Sequence, residues 1–188
     1  MSLDNLKERL RLLKSALSNP QIQKRVSISA AFASIGEYKR RIFVNGLSSD
    51  LSQIGTYSET PFYQNPNNLL GVSVSGITPL GKNGLDSFRS GKKKKTRYLG
   101  GGYKELRELT GRQSDFIDLN FSGSTQGAIQ VGEQGEEAVI GFVDEKSFLI
   151  MQGHEERYGK EIISFSEEER DFAIKAARNE FLAIIQEI

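Results

Sequence analysis

The chain has one histidine, His154, and it stands beside two carboxylates, Glu155 and Glu156. That cluster is the first place to look for acid–base or metal chemistry. A zinc-binding helix needs a second histidine four residues on, so that one helical turn brings both rings to the same metal. Here position 158 is Tyr. Adjacent carboxylates on a helix point about 100° apart, so Glu155 and Glu156 are poorly placed to share a proton. A serine hydrolase would have to use His154 as its base, and no Gly-x-Ser-x-Gly elbow accompanies it. The chain contains no cysteine, which excludes thiol nucleophiles, thiolate metal sites and disulfides. The sequence therefore assigns no catalytic, cofactor-binding or metal residue, and neither an enzyme nor a cofactor is expected.

The other chemistry-bearing stretch is "SGKKKKTRYLGGGYKELRELTGR", Ser90 to Arg112. A phosphate-binding loop needs its glycines before a Gly-Lys-Ser/Thr step, whereas Lys92, Lys93, Lys94 and Lys95 precede the glycines here. Gly100 to Gly102 could bind an anion at a helix start, but a flexible hinge is the preferred reading. The four lysines with Arg97 could neutralise phosphates without reading sequence, and Tyr98 and Tyr103 could stack on bases. No helix carries a basic recognition face. The preferred reading is a basic arm that meets acidic protein surface, with non-specific DNA binding by Lys92–Arg97 as the alternative.

Charge supports an assembly reading. Residues 82–112 carry ten basic and three acidic side chains, and residues 133–188 carry six and fourteen. A molecule that docks its basic part on the acidic part of another copy would use that polarity. Carboxylates among Glu133, Glu136 and Glu137 are candidate receivers of the arm. No apolar run approaches the roughly 20 residues a membrane helix needs, and the charged, leucine-periodic start is unlike a signal peptide, so cytoplasmic synthesis is expected.

These groups must be carried by a scaffold, and the periodicities predict one. Leu3, Leu6, Leu10, Leu13 and Leu17 form a narrow helical seam. It is expected to lie on the chain's own core, with a neighbouring subunit as the alternative. Asn19 and Pro20 open a second helix whose apolar face is Ile28, Phe32, Ile35 and Ile42, ended near Asn45-Gly46. Residues 47–91 are rich in Gly, Ser, Asn and Pro and lack periodicity, apart from a candidate strand at Leu69–Val74. "YKELRELTG" predicts a short helix closed by Gly111. "DFIDLNF" alternates Ile117, Leu119 and Phe121 with Asp118 and Asn120, which predicts a half-buried strand. "AIQV" and "AVIGFV" predict a hairpin, and Asp144 to Gly159 a further helix.

Ser166 and Glu169 form a capping box before the last helix. Ala173, Ile174, Ala177, Phe181, Ile184, Ile185 and Ile188 share its apolar stripe; Phe172 and Leu182 fall outside it and are interface candidates with Leu3, Leu6 and Leu10. The expected fold is α+β and a single domain: two N-terminal helices (1–46), extended loops with a basic arm (47–102), and an α+β core (103–188). In that core the C-terminal helix packs on a small antiparallel sheet.

The order of segments resembles a known family. "RIFVNGLSSDLSQIGTYSETP", "GGYKELRELTGRQSDFIDLNFSGSTQGAIQVG" and "GFVDEKSFLIMQGHEERYGKEIISFSEEER" are similar to successive blocks of the tail-completion and virion-morphogenesis proteins of tailed bacteriophages. The last block has an "E-R-Y/F-G" step and then "I-x-x-[FL]-[ST]-x-x-E" opening the final helix. The likeness spans roughly residues 40–188. An "IPARPF" step found in many members is missing, and "QGHEERYG" stands where many have "iHqfG". The resemblance implies a structural virion subunit at the neck or the top of the tail, assembled in the host bacterial cytoplasm. It would form a homo-oligomeric ring, sixfold or twelvefold, between portal or adaptor proteins and tail proteins. It implies possible non-specific contact with packaged DNA, and neither a cofactor nor a membrane.

Overall fold

The computed structural model describes residues 3–64, 87–89, 92–94, 97–120, 123–135 and 137–186, and within these the side chains of 3, 4, 9, 87–89, 92–94, 97 and 98 are not described. The fold is α+β. Among the described residues there are six helices, α1 (Leu3–Leu17), α2 (Pro20–Phe43), α3 (Gly102–Leu109), α4 (Ser124–Ala128), α5 (Glu145–Tyr158) and α6 (Glu167–Gln186). Six strands pair as three antiparallel two-stranded sheets: β1 (Phe62–Gln64) with β4 (Arg97–Leu99), β2 (Ser87–Arg89) with β3 (Lys92–Lys94), and β5 (Ile129–Gln134) with β6 (Glu137–Phe142). The expected hairpin is thus present, with Ile129 opposite Phe142 and Gln134 opposite Glu137. The strand expected at Leu69–Val74 lies outside the described residues, as do Lys95, Phe121, Glu136 and Ile188.

Helix α2 is the spine. The Asn19 side chain accepts from the Gln21 N–H, and Pro20 occupies the first turn, where its missing N–H removes nothing. One face of α2 lies against both strands of the β5–β6 hairpin, and α6 runs along it. Tyr38, Ile42 and Phe43 meet Ile54, Ile117, Ile129, Met151 and Ile162 in the main core. A smaller cluster, Leu99 and Leu106 with Phe62, Tyr103 and Leu109, fixes α3 to β4. After α2 the chain reverses at Gly46, φ +64°, where a Cβ would stand 2.3 Å from the Ile117 carbonyl oxygen. Only glycine allows that approach.

Several expectations are corrected. Phe32 is 64% exposed, and Ala31, Ser34, Tyr38 and Arg41 form the buried face of α2 in its place. The polar members of that face are satisfied locally: Ser34 donates to the Ala30 carbonyl at 2.8 Å. The leucine seam of α1 does not lie on the chain's own core. Leu6, Leu10 and Leu17 are exposed, and Ala16 alone is buried among the helix's described side chains.

Residues 115–120 form no strand. The alternation read Asp118 as solvent-facing, but it is buried against Arg107, so both parities point inward and no ladder is needed. On α6, Ile174 is 65% exposed, while Ala173, Ala177, Phe181, Ile184 and Ile185 keep the stripe. Phe172 and Leu182 are exposed, outside it.

The capping box is present in both directions. The Ser166 N–H donates to Glu169 Oε2 at 2.8 Å, and the Glu169 N–H donates to Ser166 Oγ at 3.3 Å.

Candidate functional site

The basic stretch is a pair of short strands rather than a free loop where it is described. Backbone pairing sets Arg89 opposite Lys92, Phe88 opposite Lys93 and Ser87 opposite Lys94. Arg97 and Tyr98 lie in β4, opposite Gln64 and Tyr63. The hinge expected at the glycines is not there. Leu99 is fully buried, and Gly102, at φ +69°, passes so close to residues 58–59 that a Cβ would meet the Ser58 oxygen at 2.5 Å. The Lys104 N–H donates to that same Ser58 carbonyl. The base of the arm is therefore clamped to the body. Glu133, a carboxylate expected to receive a neighbour's arm, instead holds Lys24 of its own chain at 2.6 Å.

Tyr103 is also turned inward. Its ring centroid lies 5.5 Å from that of Tyr57, and burial pushes its phenol above the ordinary tyrosine range. It was expected to face DNA or a neighbouring subunit, and one of its faces is now committed within the chain. Tyr57, Tyr103, Phe62, His154, Arg157 and Tyr158 line a cleft of about 480 Å³.

His154 stacks on Tyr158 with 6.0 Å between ring centroids. Burial first, and the nearby Arg157 cation second, lower its pKa, so the ring is neutral near neutrality. The Tyr57 hydroxyl donates to Asp118 Oδ1 at 2.8 Å, and Asp118 is itself held by Arg107. Glu155 is occupied as well: its Oε1 accepts from the Ile162 and Ile163 N–H groups at 2.6 and 2.8 Å. The polar groups around His154 thus hold the chain together. No group of three or more His, Asp or Glu able to hold a metal occurs among the described residues.

Two buried ion pairs organise this region, and neither was anticipated. Arg107 donates to both oxygens of Asp118 at 2.9 and 2.7 Å and to the Gln113 and Asn120 carbonyls, under the Tyr57 ring. Arg41 donates Nε to Glu169 Oε1 at 2.7 Å, and its other nitrogens reach the carbonyls of Leu47, Ile162 and Ser164. Arg41 stands in the last turn of α2, where a cation also suits the negative end of the helix. The capping carboxylate at position 169 was visible in the sequence, but its second partner, 128 residues away, was not. Beside the first pair, the side-chain amide of Gln113 is buried with no hydrogen-bond partner among the described residues.

What the body leaves outside is apolar. The seam residues Leu6 and Leu10 are exposed by 47% and 57%, and Phe172 and Leu182 by 46% each. Leu3 belongs to the same helix. A surface not singled out in the sequence joins them: Val143, Phe148, Leu149 and Ile150 are exposed at the start of α5. Its signal was legible, because "FLIM" places apolar residues on every side of a helix turn, more than one core contact can cover.

Near it, Tyr38, Ile140, Phe142, Phe148, Ile163 and Phe165 line a groove of about 440 Å³ whose edge carries Asp144 and Glu145. A third apolar point is Leu51. It adopts φ +63°, held up by a turn in which Asp50 accepts from the Ser48 and Ser52 hydroxyls and the Ser52 N–H. No described helix is long and apolar enough to cross a membrane. No family model, curated protein or solved structure matches the chain.

Proposed function

We propose that the chain is a structural subunit of the neck or tail-completion layer of a tailed bacteriophage, forming a homo-oligomeric ring between portal or adaptor proteins and the tail. The observation that carries the assembly reading is the amount of large apolar side chain left uncovered on separate elements: α1, the start of α5 and α6. Scattered single leucines are ordinary on a protein surface, but three consecutive exposed apolar residues beside an apolar groove mark a contact surface. Different patches on different elements suit heterologous contact, which closes into rings. The place in the particle is supported by the likeness of the segments in residues 40–188 to tail-completion proteins. In this reading the chain contributes surfaces and has no catalytic role.

The pairing of Arg89 with Lys92 across β2 and β3 favours a second reading, in which this hairpin contacts DNA without sequence readout. Like charges placed opposite one another gain from a polyanion.

The test is a particle-assembly experiment. Without the chain, DNA-filled heads and separate tails should accumulate, and adding the purified protein should join them. Complete infectious particles formed without it would end the reading. Lys92 to Lys95 replaced by Ser should leave joining intact but reduce genome retention if the hairpin serves DNA.

A further inference from the structure

Helix α1 and the groove beside α5 are both apolar and carry opposite charge at their margins. Leu6, Leu10 and Leu17 fall on one stripe of α1, and Lys7 and Lys14 follow within about 80° on one side of it, with Arg11 beyond them paired to Glu8 at 3.3 Å. The helix commits little to its own body, because Ala16 alone is buried among its described side chains. The groove presents the opposite character: an apolar floor from β6, α5 and residues 163–165, with the carboxylates of Asp144 and Glu145 on its edge. Phe148, Leu149 and Ile150 extend it outward on α5. A rival occupant is α6, with Phe172 and Leu182 exposed. Its first turn, however, exposes Glu167 and Glu168, which an acidic edge would repel.

We propose that the leucine stripe of α1 from one copy seats in the groove between β6 and α5 of the next copy, with its basic shoulder against Asp144 and Glu145. This rests on the self-assembly reading above and specifies its interface. The contact joins unlike surfaces, so each copy gives one helix and receives another, and the series closes or propagates by rotation. Charge at the edge selects the orientation of the helix, while the leucines supply the apolar burial.

The absence of cysteine makes a direct test available. Leu10→Cys and Phe148→Cys proteins, each confirmed folded by circular dichroism, are mixed and treated with a short bis-maleimide. Sedimentation of the untreated wild type is measured in parallel. The expected result is a covalent dimer containing one chain of each variant, absent when Leu12→Cys replaces Leu10→Cys. Glu145→Lys should weaken association about three- to tenfold, with recovery on adding Lys14→Glu. Assembly by sedimentation without the mixed dimer would overturn this interface and leave self-assembly standing. A monomer at every concentration would overturn both.

Discussion

Replacing Glu169 by Ala should cost this protein a large part of its stability. The side chains of Glu169 and Arg41 are each only 4% exposed, so the change leaves a guanidinium buried without its counter-ion. Removing one partner of such a pair typically costs about 3–5 kcal/mol. Arg41 keeps three carbonyl acceptors, at 3.0, 3.2 and 2.8 Å, which favours the lower end of that range. The Ser166 N–H loses its acceptor at the same time, and loss of a helix cap costs about 1 kcal/mol. The sum is about 4 kcal/mol, against a total of about 5–15 kcal/mol for an ordinary domain. Urea unfolding followed by far-ultraviolet circular dichroism should show a midpoint lowered by about 1–2 M at unchanged slope. The double variant Arg41→Met, Glu169→Leu should be more stable than either single variant, because it leaves no buried charge. A midpoint shift below about 0.3 M for Glu169→Ala would show that Arg41 regains water freely, and the ion pair would then have no structural role.

Gly102→Ala should destabilise by at least about 2 kcal/mol in the same assay, since it combines a left-handed backbone with a 2.5 Å approach to the Ser58 oxygen; an unchanged midpoint would restore the hinge reading. Phe181→Ala should cost about 2–3 kcal/mol and the half-exposed Phe172→Ala under about 1 kcal/mol, and equal losses would show that the two residues are equally committed to the core. Burial lowers the pKa of His154 below its usual 6.5, so its contribution is present above that value and is lost as pH falls through the lower folded value; His154→Gln should lose less stability than wild type between pH of about 7.5 and 5.5, and parallel curves would count against it. Raising salt to about 1 M shortens the screening length to about 3 Å, so oligomers held by the acidic and basic faces should lose mass in light scattering, and an unchanged mass would leave apolar contact as the dominant force.

The parts of the fold fixed by local rules were legible. Asn19-Pro20, Asp144 and the Ser166–Glu169 box each announce a helix start through groups within three residues, and β5–β6 announces itself by two apolar runs around a turn. What failed were inferences about which side chains pair across elements, whether 11 or 128 residues apart. Asp118 alternates with isoleucine and leucine, and nothing nearby says that Arg107 will bury it. Phe32 has a core residue's composition, but α2 turns Arg41 inward because Glu169 satisfies it.

 Only the folded chain brings Glu169 to Arg41, whereas the Ala30 carbonyl that accepts from Ser34 lies one turn away in the same helix. The candidate surfaces divide in the same way. The exposure of Phe172 and Leu182 follows from helical phase, whereas Leu6 and Leu10 read by the same phase as a core-facing seam and are exposed instead; the groove is built from β6, α5 and residues 163–165, which no single stretch of sequence shows together.

The ion pair also imposes an order on manufacture. Arg41 leaves the ribosome 128 residues before Glu169. At about 5–20 residues per second, that is about 6–26 s in which the guanidinium has no counter-ion and α2 has no reason to close. A chain broken off anywhere in that interval lacks the carboxylate that caps α6 and neutralises Arg41. It also lacks α6 itself, the helix that runs along α2. Incomplete copies therefore lack both the counter-ion and the helix that close α2, and should be cut by proteases faster than the finished chain.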